Sequence, residues 1–486
     1  MPRRPRNSQG RADQPFGEGI APPRRRVQPF VGLTFPRACP TPPATPDGAE
    51  PLPAFKPSRR HADLGPDFYD VVAPADFPSA ILRYRNQAWA RRVGLDDLSD
   101  EAWIAHFARF TPLPGSFERP MALRYHGHQF RSYNADLGDG RGFLFAQGHD
   151  RRDGRLLDLG TKGSGTTPWS RGADGRLTLK GGVREVLATA MLEALGVETS
   201  KSFSLIETGE ALERGDEPSP TRSAVLVRLS HSHLRIGTFQ RFQFLEQPEA
   251  IARLVDYVVE TYYPGIQEAE PAERAALFFE AMLARVARMG AQWMAAGFVH
   301  GVLNTDNINV AGESFDYGPW RFAPTHDPAF TAAYFDEWGL YSFGRQPEAL
   351  FWNLSRLADC LLGLVPKERL EAGLKGFGPA LQDAFAEAIL FRLGVTPAQG
   401  RARARSTGWS AHSGPSSKPA ARRSSRSSST GAGGWRVSPA RPGARRASTT
   451  PATPSARSTL RSRRCVPPSR PTSTTLTLPA KNPARC

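Results

Sequence analysis

Three side chains with hard oxygen atoms, Asp306, Asn307 and Asp316, stand within eleven positions of one another in this chain of 486 residues. They belong to His300-Gly-Val-Leu-Asn-Thr-Asp306-Asn307 and Phe315-Asp316-Tyr317-Gly318, a stretch whose Gly and Asn content predicts loop with short extended pieces. Carboxylate-plus-amide clusters of this kind hold a hard divalent cation and the phosphates bound to it. Asx-turn chemistry in a polar loop explains one such residue, but not all of them together with His300-Gly301 and Tyr317-Gly318. The cluster also needs partners. Lys162 ends a predicted strand and Glu185 sits early in a predicted helix, both far upstream. A fold that uses all five residues has to set a sheet-and-helix part against a loop carried by another part.

Periodicity supplies those parts. Residues 142–147, GFLFAQ, read as a strand, and Leu156–Lys162 as its hairpin partner across a polar turn. Residues 182–196 carry Val183, Val186, Leu187, Ala190, Met191, Ala194 and Leu195 at helical spacing, predicting a helix that buries this stripe and stops at Gly196. Glu185 falls just off the stripe. Residues 224–230, AVLVRLS, read as another strand. From about 248 the pattern is helical, with Met282, Val286, Met289 and Trp293 on one buried face and Gly297 as the stop; helical periodicity returns over 346–395.

Charge divides the chain unevenly. Its formal net charge is +16, yet residues 401–486 hold 18 Lys and Arg and no Asp or Glu, leaving 45 basic against 47 acidic residues in 1–400. That tail also lacks Ile, Phe, Tyr and Met, so it cannot bury enough apolar surface to offset its ordering entropy. A basic tail could bind nucleic acid; the composition favours a solvated extension, and nucleic acid is not expected as a partner. The absence of acidic residues over so long a span suggests a GC-rich gene read out of frame after about 397. Residues 1–60 are Pro/Arg-rich without hydrophobic periodicity and are expected to be disordered. Between these ends the organisation expected is a first lobe over 61–245 and a helical lobe over 246–396. The four cysteines, Cys39, Cys360, Cys465 and Cys486, form no CxxC pair and suggest neither a disulfide scaffold nor zinc. No apolar run is long enough to span a membrane, and the N-terminus has no apolar core of a secretory signal. Prolines at 2, 5, 15, 22 and 23 oppose the amphipathic helix of a mitochondrial transit peptide. Cytoplasm is the expected location.

Further residues fit a nucleotide site. Gly138, Gly140 and Gly142 let a backbone approach phosphate, with Asp139 and Arg141 between them, although such a turn between strands is more often just a tight hairpin. Lys162 with Glu185 matches the strand-lysine, helix-glutamate arrangement that holds nucleotide phosphates in kinases; a solvated edge lysine and a surface glutamate in the first helical turn explain the two equally well. Asp174-Gly175-Arg176 reads as a hairpin tip on its own merits. Arg228 interrupts an apolar strand, and a buried charge there calls for a phosphate or a carboxylate; Arg235 follows it beyond Ser-His-Ser-His. His126 and His128 have no third ligand nearby and read as structural. The order is Gly-rich turn, strand Lys, helix Glu, apolar strand, helices, Asp-Asn loop and Phe-Asp-x-Gly. This is the linear order of the protein-kinase-like two-lobed α+β fold, with a smaller β-containing N-lobe and a helical C-lobe. In one respect the chain departs from it: Val302 stands where small-molecule kinases of the aminoglycoside phosphotransferase type carry the Asp of His-Gly-Asp, and Asp306 directly precedes the metal-type Asn307.

The segments YHGHQF (125–130), LGDGRG (137–142), LGTKGSGTTPWSRGADGR (159–176), VREVLATAMLEALG (183–196), VLVRLSHSHLRIGTF (225–239), GFVHGVLNTDNINVAGESFDYGP (297–319) and YSFGRQP (341–347) carry a resemblance. Through them the chain resembles the selenoprotein O family of protein adenylyltransferases, the bacterial YdiU-like proteins. The resemblance implies an ATP flipped relative to ordinary kinases, and metal-dependent (Mg²⁺ or Mn²⁺) transfer of AMP to Ser, Thr or Tyr hydroxyls of proteins with release of pyrophosphate. Residue by residue, it makes Asp306 the proton acceptor and Asn307 and Asp316 the metal ligands. It also makes Gly138, Gly140, Arg141, Lys162, Asp174, Gly175, Arg228, Arg235 and Asp316 nucleotide-binding, and Glu185 the partner of Lys162. The chain departs from the family at Arg131–Asp136, where Gly-Val-Trp-Ala-Gly-Gln is usual, and in its tail. A kinase-like phosphotransferase and a catalytically impaired, nucleotide-binding pseudokinase are the alternatives.

Overall fold

The computed structural model describes residues 54–267 and 269–395. The tail after 395, most of the N-terminal segment, and Cys39, Cys465 and Cys486 lie outside the described residues, and with them the expectations of disorder and of a shifted frame.

Mostly short runs, several of them apolar, form the strands. In chain order these are β1 Pro57–Ser58, β2 Tyr69–Val71, β3 Ile81–Arg85, β4 Met121–Leu123, β5 Gly127–Gln129, β6 Ser132–Asn134, β7 Leu144–His149, β8 Leu156–Lys162, β9 Leu177–Thr178, β10 Lys201–Leu212, β11 Thr221–Ser230, β12 Phe298–Val299 and β13 Arg321–Phe322. The main sheet is antiparallel, ordered β2-β4-β7-β8-β11-β10-β3, with β1 on β7 and β9 on β11; β5 and β6 form a separate hairpin. The expected hairpin of 142–162 is β7–β8.

Alternation along β11 assigns the two faces of the sheet. Val225, Val227 and Leu229 pack with Trp103, Phe107, Phe145 and Phe203 on one face, where α1 (Gln87–Val93) and α2 (Asp100–Phe107) contribute Trp89 and Trp103. Leu226 lies opposite Lys162, and Arg228 opposite Gly160. Residues directly opposite share a face, so Lys162 and Arg228 both emerge toward α3 (Leu179–Ala194), whose Val186 packs against Leu205 and Leu226. Arg228 therefore does not interrupt the apolar layer; it occupies the other side of the strand.

The helical lobe consists of α4 Ile236–Phe244, α5 Pro248–Tyr262, α6 Pro271–Ala296, α7 Gln346–Leu361, α8 Lys367–Lys375 and α9 Phe377–Arg392. Met282, Val286, Met289 and Trp293 face its core as expected, together with Phe239, Phe242, Phe278, Leu350 and Leu354. Gly297 caps α6 in the left-handed region at φ 68°. The result is an α+β architecture in which one large sheet with α1–α3 is followed by the helices α4–α9. Among the described residues, no helix is long and apolar enough to cross a membrane.

Two expectations need correction. Ordered structure starts before residue 61, because Pro57 already pairs with Gly148. The second concerns α3, whose apolar stripe faces outward, with Val183 43%, Leu187 50% and Met191 43% exposed. The buried face is Gly182, Glu185, Ala188, Thr189 and Leu192. Small residues win here because the helix approaches the sheet closely; a Cβ on Gly182 would lie 2.4 Å from Leu205 Cδ1.

Candidate active site

Asp316 is the hub. It follows Phe315 in the left-handed region at φ 64°, an uncommon conformation for a residue with a side chain. Lys162 Nζ donates to its Oδ1 at 2.8 Å, Arg228 Nη1 to the same oxygen at 3.1 Å, and Arg235 Nη1 to Oδ2 at 3.3 Å. Lys162 also pairs with Glu185 Oε1, so the expected strand-lysine, helix-glutamate pair forms. Glu185 reaches Lys162 because it lies in the buried face of α3. Burial alone would raise the Asp316 pKa, but Lys162, Arg228 and Arg235 outweigh it and hold the carboxyl well below the ordinary range.

Arg235 ties the lobes together at this point. Besides Asp316, it donates to the main-chain carbonyl of Asp306 at 2.8 Å and to Asp139 Oδ1 at 3.3 Å, and its guanidinium lies over Tyr125 and Phe315. Burial opposes its charge, while Tyr125, Asp139, Asp316 and Asp306 keep its pKa above the ordinary value.

Asp306 sits in a single 3₁₀ turn, Thr305–Asn307. It is buried, and its Oδ1 has no hydrogen-bond partner among the described residues. Burial pushes its carboxyl up to about 6, against the pull of Arg235. The β5–β6 hairpin closes over this turn: His128 N donates to Thr305 Oγ1 at 2.7 Å, and Thr305 in turn donates to Gln240. Gly127 fits closely there: a Cβ would stand 3.1 Å from Thr305 Oγ1 and 3.3 Å from Asp306 Oδ1. His126 and His128 bond Tyr133 and Gln240, the structural roles expected.

Asn307 Nδ2 donates to Val302 O at 2.9 Å, which leaves its amide oxygen as an acceptor. No group of three His, Cys, Asp or Glu among the described residues is placed to hold a metal. A cation here would rest on the Asp316 carboxylate and the Asn307 amide oxygen, completed by phosphate oxygens. That hard-oxygen set fits Mg²⁺ or Mn²⁺ bound with a nucleotide.

The Gly-rich segment 137–142 lies in the loop between β6 and β7. A Cβ on Gly138 would lie 2.3 Å from the Trp169 ring, and one on Gly140 would lie 2.8 Å from Trp169 O. Thr167 and Ser170 bond the carbonyls of Asp139 and Gly140. The 163–176 segment thus fixes the turn, and Arg141 remains exposed beside it. Asp174 is not drawn into the Asp316 cluster. Its side chain pairs with Arg214 and accepts from Arg176 N, while Gly175 packs on Gly165 at φ 67°. Sequence reasoning passed over Arg171, an exposed residue whose charge acts on Asp306. It also passed over Asn304, whose Oδ1 accepts from Phe130 N and Tyr341 OH. The polar run Asn304-Thr305 directly before Asp306 was the available signal for the second.

Comparison with known proteins identifies relatives of the chain. The family profile described as protein adenylyltransferase SelO matches residues 53–408. The protein nucleotidyltransferase YdiU of Gloeobacter violaceus is 54% identical over 335 residues, 68% of each chain. That of Synechocystis is 49% identical over 341 residues, 69% of this chain and 70% of the relative. That of Vibrio cholerae is 38% identical over 343 residues, 70% of this chain and 68% of the relative. Among solved structures, ROP2 of Toxoplasma gondii, described as a virulence factor with a protein-kinase fold and no enzymatic activity, aligns at 12% identity with a TM-score of 0.26, covering 62% of this chain and 87% of that one. That likeness is too distant to carry an inference.

Proposed function

The chain belongs to the SelO family of protein adenylyltransferases, and from this premise we propose that it transfers AMP from ATP to a hydroxyl of a protein Ser, Thr or Tyr, releasing pyrophosphate. The observation that carries the reading is Asp306: a buried carboxylate with one unpartnered oxygen, placed directly before Asn307 and held by Arg235. A base whose pKa lies near 6 is ionised at neutral pH and still basic enough to take a proton.

In the proposed reaction the acceptor oxygen forms a bond to the α-phosphorus as the α–β bridging P–O bond breaks. The acceptor proton passes to Asp306, and pyrophosphate leaves. Lys162, Arg228 and Arg235 compensate phosphate charge in a buried setting, where such contacts are strongest. With nucleotide bound, they exchange part of their hold on Asp316 for phosphate oxygens. Asn307 and Asp316 would hold a divalent cation, which when bound neutralises phosphate charge. Gly138, Gly140 and Arg141 form the turn that faces the phosphates, and Asp174 and Gly175 belong to the nucleotide's surroundings in the same reading.

Val302, in place of an Asp, argues against ordinary kinase chemistry. The presence of Asp306, Asn307 and Asp316 argues against a nucleotide-binding protein without transfer. The by-product decides between the first two: pyrophosphate formation in step with protein labelling supports adenylyl transfer, and ADP formation contradicts it.

A further inference from the structure

Beyond the metal loop, residues 323–345 form a loop that is pinned at both ends. Phe343 N donates to Phe330 O and Gly344 N to Pro328 O, each at 2.9 Å. Buried Asp336 accepts from Leu340 N and Tyr341 N, both at 2.8 Å. Beneath it, Ala332 and Phe343 pack with Val299. On this fixed frame Trp338 is 90% exposed, Tyr334 78% and Phe335 46%. Their exposure is set by a hydrogen-bonded turn that points them outward.

Two of the exposed rings, Tyr334 and Phe335, are joined to the loop that carries Asp306. The Tyr334 and Phe335 ring centroids are 5.1 Å apart, Phe335 meets Phe130 edge-on at 5.9 Å, and Phe130 packs on Tyr341 at 5.0 Å. Phe130 N and Tyr341 OH both donate to Asn304, two positions before Asp306. An aromatic wall therefore runs from solvent through Tyr334, Phe335, Phe130 and Tyr341 to Asn304, two positions before Asp306. Clustered exposed aromatic rings mark contact surfaces, and Trp and Tyr are the residues most enriched at binding hot spots.

The geometry points to this wall as the docking surface for the acceptor protein, engaging an apolar or aromatic side chain a few residues from the hydroxyl that is modified. The inference rests on the proposed transfer to a protein hydroxyl. The hydroxyl has to reach Asp306 from solvent, and the wall ends two positions from it, at Asn304. The nucleotide phosphates are drawn elsewhere, to Lys162, Arg228 and Arg235. A charged or fully polar acceptor segment would leave the rings in water, whereas an apolar anchor buries them.

The test measures binding of a randomised library of short fluorescent peptides, each with one Thr, to the full chain loaded with a non-hydrolysable ATP analogue and Mg²⁺. Peptides with Leu, Phe or Trp near the Thr are expected to bind about tenfold tighter than those with Ser there. The advantage should disappear in the W338A/Y334A double variant while its binding of the ATP analogue is unchanged. Equal binding of both peptide classes, or an advantage that survives the double variant, overturns the proposal. Self-association in sedimentation that the double variant abolishes, without any peptide preference, assigns the wall to a second copy and also overturns it. AMP adducts are scored separately with ATP. A preserved apolar preference without any adduct would contradict adenylyl transfer and leave the docking surface standing.

Discussion

Arg235 Nη1 donates to the main-chain carbonyl of Asp306 at 2.8 Å, so the residue that precedes α4 holds the backbone of the proposed base. The same guanidinium reaches Asp316 and Asp139. One side chain thereby joins Asp306, Asp316 and the Gly-rich turn.

Arg235→Lys keeps the charge but cannot hold those three acceptors at once, because an ammonium lacks the planar fork of a guanidinium. Transfer is expected to fall about 100-fold, with a smaller loss of nucleotide affinity, since misplacement of a base by about 1 Å costs that much. Rates and nucleotide titrations on the same preparation check this. An unchanged rate would show that Asp306 does not depend on Arg235.

Asp316→Asn leaves Lys162, Arg228 and Arg235 without their shared carboxylate. Removing one member of a buried charge cluster costs about 3–5 kcal/mol, and metal-dependent ATP binding should be lost with it. The pH dependence follows from the depressed folded-state pKa of Asp316. Its contribution is present above the unfolded carboxylate range and is lost as pH falls through the folded value. Denaturant unfolding should therefore show the full deficit of the variant at pH 7, shrinking only under strongly acid conditions. A variant as stable as the parent at pH 7 would contradict the role of Asp316 as the hub.

Asp306 behaves in the opposite sense. Its pKa is raised by burial from 3.8 to about 6, so its favourable contribution is complete below about 4 and is lost as pH rises through 6. Asp306→Asn carries no such loss. In metal-free protein the variant should gain stability over the parent between pH 4 and 7, levelling at about 3 kcal/mol, because each tenfold difference in proton affinity between the folded and unfolded chain is worth about 1.4 kcal/mol. Thermal unfolding of both proteins at pH 5 and pH 8 checks this. A difference that does not grow with pH would show that the Asp306 carboxylate is not strained by burial.

Much of the fold was readable in the sequence because local pattern and tertiary position agree there. The β8 boundaries, the α6 face of Met282, Val286, Met289 and Trp293, and the Gly297 cap follow directly from residue spacing. For α3 the pattern gave the helix but not its buried side. Its strongest apolar stripe is outside, because the sheet needs Glu185 at Lys162 and small residues at Gly182 and Ala188. Periodicity reports that a stripe exists; which stripe is covered depends on neighbours distant in sequence. Arg228 shows a related limit. The sequence left its partner open between a phosphate and a carboxylate, and only the register of β11 on β8 brings it to Asp316. The meeting of Lys162, Arg228, Arg235 and Asp316 spans four separate segments, so spacing alone could not establish it. Asp174 remains outside that meeting, paired with Arg214.

ATP labelled separately at the α- and γ-phosphates, given to this chain with a protein acceptor and Mg²⁺, tests the central claim most directly. The α-label should appear on protein and the γ-label in pyrophosphate, with both signals lost in Asp306→Ala; γ-label on the protein would contradict adenylyl transfer.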